Sequence, residues 1–121
     1  MNNKIMLIAV IVVIILISSF FLFYFQDPVE MCIKRTKSDL KKHKTQYLSG
    51  DIIVNFKDNV TKETTSQLIE SYNLSINYKY PDQNSALVKV PRGKEIEAMC
   101  MLKQDVSIAS TELNVIFQMQ Q

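Results

Sequence analysis

The hydrophobic positions of the chain form one unbroken run near the N-terminus and a series of short alternating segments after residue 50. The run covers residues 5–25, IMLIAVIVVIILISSFFLFYF, and contains no charged residue, no Pro and no Gly. A helix rises about 1.5 Å per residue, so this run spans about 30 Å, the hydrocarbon thickness of a bilayer. A signal peptide has a shorter apolar core and ends in small residues, whereas this run ends in aromatic ones. The pattern predicts one transmembrane helix over 5–25, after a short flank at 1–4.

Residues 26–49 are polar and basic, and we expect them to form a juxtamembrane stalk. Asp27-Pro28 ends the apolar helix, because the residue before a proline avoids the α region. A polar helix from Pro28 to Leu40 is possible, but its apolar positions form no sustained stripe. The basic side chains of the stretch are expected to lie against anionic membrane lipid; they are Lys34, Arg35, Lys37, Lys41, Lys42 and Lys44.

The charges around the apolar run also bear on its orientation. Only Lys4 precedes the run, and the six basic residues of the stalk follow it. The positive-inside rule therefore places the C-terminal part in the cytoplasm. Contact of the same residues with lipid headgroups leaves the side of the membrane open.

From Gly50 the pattern changes to strands and helices. Residues 51–57 alternate, with Ile52, Val54 and Phe56 on one face of a predicted strand and Ile53 on the other. After a turn, Thr61 is a suitable N-cap for a helix that runs to Tyr72. Asn73 then suits the left-handed conformation that ends helices.

The second half of the domain repeats the alternation. Residues 75–80 and 86–90 predict a hairpin around the turn at 81–84, followed by a helix over 94–103 and a short strand over 106–110. The order βαββαβ is the split βαβ arrangement, in which two helices cover one face of a four-stranded antiparallel sheet. We therefore predict an α+β, ferredoxin-like sandwich over residues 50–117, with one sheet face uncovered. The four C-terminal residues, 118–121, are expected to lie outside this domain.

Charge and cysteine content exclude several classes of function. Residues 46–121 carry seven Lys/Arg and nine Asp/Glu, whereas nucleic-acid binding usually requires a concentrated basic face, so no nucleic-acid partner is expected. Cys32 and Cys100 are too few for a disulfide scaffold and have no ligand spacing. We expect a free juxtamembrane thiol and a small buried helix residue. With a single His, neither a metal nor another cofactor is expected.

Short motifs follow one another through the predicted domain. GDIIVNFK at 50–57 precedes VTKE at 60–63, which opens the first helix, and YNL at 72–74 closes it. VPRGKE at 90–95 and LKQDV at 102–106 come next. This order resembles the prodomains of subtilisin-like serine proteases, and is most similar to the fervidolysin-type branch. The resemblance covers about residues 50–114 and departs from the family at Asn73, where a Gly is usual.

The resemblance implies a membrane-anchored, stand-alone prodomain-like protein that is not an enzyme. It would bind a subtilisin-like serine protease in trans, as an inhibitor or folding chaperone. The chain itself offers no Ser/His/Asp constellation. In that family the open sheet face packs on the protease, which implies Ile53 as a contact, and an acidic residue similar to Glu112 caps a helix of the enzyme. The tail lies in the active-site cleft; here it would comprise Val115, Ile116, Phe117 and Gln118.

Two alternatives remain open at this point. The domain can be a non-inhibitory, membrane-tethered protein-binding module that keeps the prodomain fold, because one fold supports many functions. The tail can be a frayed C-terminus with no role. The resemblance favours an extracytoplasmic domain on a single-pass membrane protein, against the positive-inside rule, and this is the orientation that we expect.

Overall fold

The computed structural model describes residues 2–117, beginning with a helix that is apolar around its whole circumference. This helix, α1 (Asn3–Tyr24), buries none of its residues against the rest of the chain. The hydroxyls of Ser18 and Ser19 donate to the carbonyl of Ile15 at 3.0 and 2.8 Å, so the two hydroxyl groups in the middle of the apolar run are satisfied within the helix. Among the described residues, α1 is the one helix long and apolar enough to cross a membrane, a test that a signal sequence also passes.

The second helix, α2 (Pro28–His43), follows α1 after a three-residue linker and has well-formed ends. The Asp27 carboxylate accepts a hydrogen bond from the Val29 N–H at 3.0 Å, and Pro28 occupies the first turn, where a missing N–H costs nothing. Lys44 ends the helix in the left-handed conformation, at φ 50°. Three basic residues in the last turn oppose the negative end of the helix dipole.

One side of α2 packs against the small domain, which differs from the stalk expected from the sequence. Val29, Cys32, Ile33 and Leu40 are half-buried against the hydrophobic core. Thr36 is also half-buried on this side, so a stripe of helical period exists once Cys32 and Thr36 are counted with the apolar residues. The partner of α2 is the fourth helix, α4 (Glu95–Leu102).

A disulfide joins α2 to α4. Cys32 and Cys100 are bonded, with their Cα atoms 5.7 Å apart. The expectation of a free thiol was therefore wrong, although Cys100 is fully buried on a helix as predicted. Spacing along the chain could not reveal the pair, because the two residues are separated by 68 positions and meet only through the packing of two helices.

The domain contains one antiparallel sheet in the spatial order β2-β3-β1-β4. Its strands are β1 (Tyr47–Phe56), β2 (Ser75–Lys79), β3 (Ser85–Lys89) and β4 (Ile108–Val115), and the third helix is α3 (Lys62–Ser71). The predicted α+β class and the βαββαβ order are confirmed for the part of the chain after α2. This spatial order is compatible with a ferredoxin-like sandwich.

The core lies between the sheet and helices α3 and α4. Ile52 and Val54 are fully buried on the inner face of β1, as their alternation predicted. Ile69 of α3 and Leu102 of α4 belong to the same core cluster and are equally buried. Thr65, the buried polar residue of α3, donates its hydroxyl hydrogen bond to the Lys62 carbonyl at 2.7 Å, so its burial leaves no unsatisfied group.

Both predicted ends of α3 are confirmed. The Thr61 hydroxyl accepts a hydrogen bond from the Thr64 N–H at 3.4 Å and so caps the N-terminus. At the other end Asn73 adopts φ 57°, and the Leu74 N–H donates to the Ile69 carbonyl at 3.3 Å. A left-handed residue followed by such a bond is the usual way a helix closes.

The last strand is longer than expected and shifted along the chain. We predicted residues 106–110, whereas β4 covers Ile108–Val115, and Val106 lies 81% exposed in the preceding turn. The extension pairs Val115 with Tyr47 at the start of β1. Glu112 and Val115 therefore belong to the sheet and not to a tail that follows it.

Candidate protein-binding face

The sheet face opposite α3 and α4, which we call the open face, carries no covering element in the described part of the chain. On β1, Ile53 points to this face because its neighbours Ile52 and Val54 point into the core. Its register partners are Leu87 on β3 and Glu112 on β4. The structure thus places two residues singled out from the sequence, Ile53 and Glu112, directly opposite each other.

A mostly apolar row crosses the open face from edge to edge. Tyr78 of β2 lies opposite Leu87, which lies opposite Ile53, which lies opposite Glu112. We call these four residues the open-face row. Tyr78 is 53% exposed and its ring meets that of Tyr80 edge to face, with centroids 5.2 Å apart. The row offers an apolar contact with a carboxylate at one end.

Polar residues flank this row. Asn55 donates to the Ser110 hydroxyl at 2.8 Å and accepts a hydrogen bond from the Ser85 hydroxyl, so three strands are linked on one side. On the other side Asp51 is the register partner of Lys89. An apolar centre with a polar rim is typical of protein-binding surfaces.

The start of the predicted tail is held by the sheet. Val115 ends β4, and the next N–H, that of Ile116, donates to the Gln46 carbonyl at 2.9 Å. Phe117 follows with 89% of its surface exposed. Gln118, the fourth predicted tail residue, lies outside the described residues. Of the three predicted tail residues that the structure describes, Phe117 is thus the one most open to a partner.

A buried carboxylate that we had not singled out from the sequence fixes the start of β1 to the start of α4. Glu95 is only 2% exposed, and one of its oxygens accepts from the Ser49 hydroxyl at 2.9 Å, the Gly50 N–H at 2.8 Å and the Gly93 N–H at 3.1 Å. Gly50 and Gly93 have φ of +96° and +84°, in the region that favours glycine. This cluster explains physically why VPRGKE ends in Gly-x-Glu.

The charge of Glu95 is stabilised in spite of its burial. Loss of water contact acts to raise the pKa of the carboxyl, but hydrogen bonds from its own N–H, from Gly50, from Ser49 and from Gly93 outweigh this effect. The pKa of Glu95 therefore lies below its ordinary value. The signal that could have revealed this role is a carboxylate that directly follows a glycine turn, at the first turn of a helix.

A second hydrogen-bonded pair joins two of the motifs. The Tyr72 hydroxyl at the end of α3 donates to the Asp105 carboxylate at 2.8 Å, and that carboxylate also accepts the Ser107 N–H at 2.9 Å. These bonds hold the pKa of Asp105 below its ordinary value, the Ser107 N–H contributing most. The hydrogen bond to Asp105 in turn raises the pKa of Tyr72. The pair ties the loop before β4 to α3.

The six basic residues that we assigned to the membrane surface lie on or just after α2, and all are exposed. One of them, Lys34, forms a salt bridge with Glu30 at 3.3 Å. Within residues 2–117 no cluster of His, Cys, Asp and Glu side chains has the arrangement of a metal site.

Comparison with known proteins identifies the family. The model of the fervidolysin N-terminal prodomain matches residues 34–114, more than half of the chain. The chain belongs to the fervidolysin N-terminal prodomain-like family. Neither the curated proteins nor the solved structures contain a significant match. The match confirms the resemblance predicted from the motif order.

The family match extends further toward the N-terminus than the motifs did. It begins at Lys34, inside α2, and ends at Asn114, next to the end of β4. It therefore includes part of the helix that packs on α4, as well as every strand of the sheet. A prodomain of this family is in general associated with a subtilisin-like protease.

Proposed function

We propose that this chain is a membrane-anchored prodomain that binds a subtilisin-like serine protease in trans, as an inhibitor or folding chaperone, and is not itself an enzyme. The family match over residues 34–114 carries this proposal. The match covers the sheet up to the next-to-last residue of β4 and both helices that support it, so it includes the open face on which we propose that the protease binds.

The open-face row supports the proposal. Ile53 and Leu87 lie side by side at its centre, where a protease surface would exclude water from them. Glu112 is exposed at its end on an edge strand. A carboxylate in this position can approach the N-terminus of a partner helix, where free N–H groups and the helix dipole favour negative charge.

The tail is proposed to enter the active-site cleft as an extended segment. It begins after Val115, which is paired in β4, and comprises Ile116, Phe117 and the next residue in the sequence, Gln118. Extended segments bind clefts through backbone hydrogen bonds, as added strands do. Phe117, with its exposed ring, is the side chain best placed to fill a substrate pocket.

The disulfide supports a domain outside the cytoplasm, with α1 as the anchor. Disulfides persist in oxidising compartments and are rare in the cytosol. Formation of the Cys32–Cys100 bond therefore favours export of the domain, whereas the basic residues after α1 favour retention by the positive-inside rule. We give the disulfide more weight, since the same basic residues have another use at a lipid surface.

The test is inhibition by the full chain in detergent, with its disulfide intact. Slowing of a subtilisin-like protease at micromolar concentration is expected, with competitive kinetics. A truncated chain that ends at Val115 should inhibit far less, because it lacks the residues proposed to occupy the cleft. The proposal fails if the full chain slows no member of a panel of such enzymes.

One observation favours a second candidate, a non-inhibitory membrane-tethered binding module. The contacts of Val115 with Tyr47 and of Ile116 with Gln46 hold the tail against β1, and these contacts must open before the tail can reach a cleft. A module of this type would bind its partner through the open face alone. Binding of a protease with an unchanged dissociation constant after removal of residues 116–121, and without inhibition, would favour this candidate.

A further inference from the structure

The two sides of α2 have different chemistry. One side is the stripe that packs toward α4, and the other is exposed and basic. From Pro28 to Lys44 six basic residues stand against two acidic ones besides the capping Asp27, namely Glu30 and Asp39. Within residues 2–117, Lys34 is the one member of the basic group that forms a salt bridge, and its partner is Glu30. The basic side therefore has charge that the domain itself does not neutralise.

The position of α2 brings this charge to the membrane. Only residues 25–27 separate the end of α1 from the start of α2. When α1 spans a bilayer, the first turn of α2 lies at the headgroups, and the whole helix is about 24 Å long. Each basic residue close to an anionic leaflet favours the bound state by about fivefold.

We propose that the basic side of α2 binds the anionic lipid headgroups of the membrane that holds α1, and that this contact sets the orientation of the whole domain. The inference rests on α1 acting as the anchor in the proposed function. Lipid is the occupant that fits, because the side is cationic, adjoins the anchor and carries a single large apolar residue, Met31, among its exposed positions.

The disulfide transmits the orientation of α2 to the domain. Cys32 on the packed side of α2 is bonded to Cys100 of α4, so α2 cannot rotate freely about its own axis or move away from the domain. Helix α4 covers the inner face of the sheet, and the open face lies on the other side. With α2 against the lipid, the open-face row stays clear of the bilayer and accessible to a protein in the aqueous phase.

A single tryptophan can report this arrangement, because the chain contains none. Ser38→Trp places the probe on the exposed side of α2, about 15 Å along the helix from its start. Tyr78→Trp places it on the open face. The full chain is reconstituted into vesicles whose lipids carry bromine near the headgroup end of the acyl chains, either in phosphatidylcholine alone or in an equal mixture with phosphatidylglycerol.

We expect strong quenching of the Ser38→Trp probe in the anionic vesicles, little in the neutral ones, and none of the Tyr78→Trp probe in either. Adding Lys34→Glu, Lys37→Glu and Lys41→Glu to the first probe should lower its ratio of bound to free helix by about 100-fold or more. The matched control reverses three exposed lysines elsewhere, Lys57, Lys89 and Lys103, and should leave quenching unchanged.

Three outcomes would overturn the inference: equal quenching of Ser38→Trp in neutral and anionic vesicles, insensitivity to the three α2 reversals, or quenching of Tyr78→Trp. Raising the salt concentration on the unreversed probe gives a measurement that needs no charge variant, and it should release the helix because screening weakens charge attraction. Flotation of the chain with the vesicles separately tests α1 as anchor. Protease inhibition tests the proposed function without any membrane.

Discussion

Cys32 and Cys100 tie α2, the helix that follows the apolar α1, to α4, a helix that supports the sheet. The bond closes a loop of 68 positions that contains most of the α+β domain. A domain of this size on its own buries only about 60% of the surface that its unfolded chain exposes. The covalent link and the packing of α2 therefore extend a core that would otherwise be marginal.

Replacing both cysteines, Cys32→Ala and Cys100→Ala, should lower the free energy of unfolding by about 4 kcal/mol, because the unfolded chain regains the freedom that a closed loop of this length removes. Denaturant unfolding of the full chain in micelles, followed by circular dichroism, measures the change. The unmutated chain under reducing conditions is the control and should resemble the double variant. Equal midpoints with and without reductant would contradict the expectation.

Glu95→Gln should destabilise the domain by about 1–3 kcal/mol at neutral pH, because hydrogen bonds to a charged group are replaced by weaker ones. The effect depends on pH. Since the pKa of Glu95 is lowered on folding, its contribution is present above the ordinary value of 4.5 and is lost as the pH falls through the folded-state pKa.

The dependence of stability on pH tests the role of the Glu95 charge. Unfolding measured between neutral pH and pH 3 should show a smaller loss of stability on acidification for Glu95→Gln than for the unmutated chain. Glu63→Gln makes the same charge change at an exposed position and is the matched control. A Glu95→Gln profile parallel to that of the parent chain would argue against a role for the buried charge.

Ile53→Asp should weaken protease binding by tenfold or more, about 1.4 kcal/mol, because it puts a charge at the centre of the open-face row and opposite Glu112. Stability should change less, since Ile53 is only half-buried. Inhibition constants and thermal unfolding measured on the same sample separate the two effects. Thr64→Asp, on the exposed side of α3, is the control; an unchanged inhibition constant for Ile53→Asp would count against the open face as the contact.

Asn73 provides a test of backbone strain. With φ 57° it occupies the left-handed region, which glycine adopts freely and alanine does not. Asn73→Gly should leave stability unchanged or raise it slightly, while Asn73→Ala should lower it by about 1 kcal/mol. The two variants control for each other, and comparable unfolding midpoints for both would show that the position carries no strain.

Much of this fold could be predicted from local chemistry. The alternation in β1, the Thr61 cap and Asn73 each determine a nearby feature, and each was found where expected. The disulfide and the packing of α2 could not be predicted in the same way, because Cys32 and Thr36 contribute to an apolar stripe only once α4 is beside them.

The end of the chain shows the same limit. Residues 111–115, TELNV, have little of the hydrophobic alternation that marks a strand, and β4 continues through them because β1 offers free backbone partners as far as Tyr47. The open-face row was likewise predicted only in part. The resemblance to protease prodomains predicted Ile53 and Glu112 as contact residues. Tyr78 joins the row through an irregularity in the strand register between Ile76 and Tyr78, which no local sequence signal predicts.

The closed loop has a further consequence for a protein whose proposed partner cuts peptide bonds. The exposed turn at 81–84, between β2 and β3, lies inside the loop that Cys32 and Cys100 close. A cut there separates the chain into two pieces, yet the C-terminal piece stays covalently attached to α2 through the Cys32–Cys100 bond. A molecule cut at this turn would therefore keep β4 and the tail next to the rest of the domain until a reductant broke the disulfide.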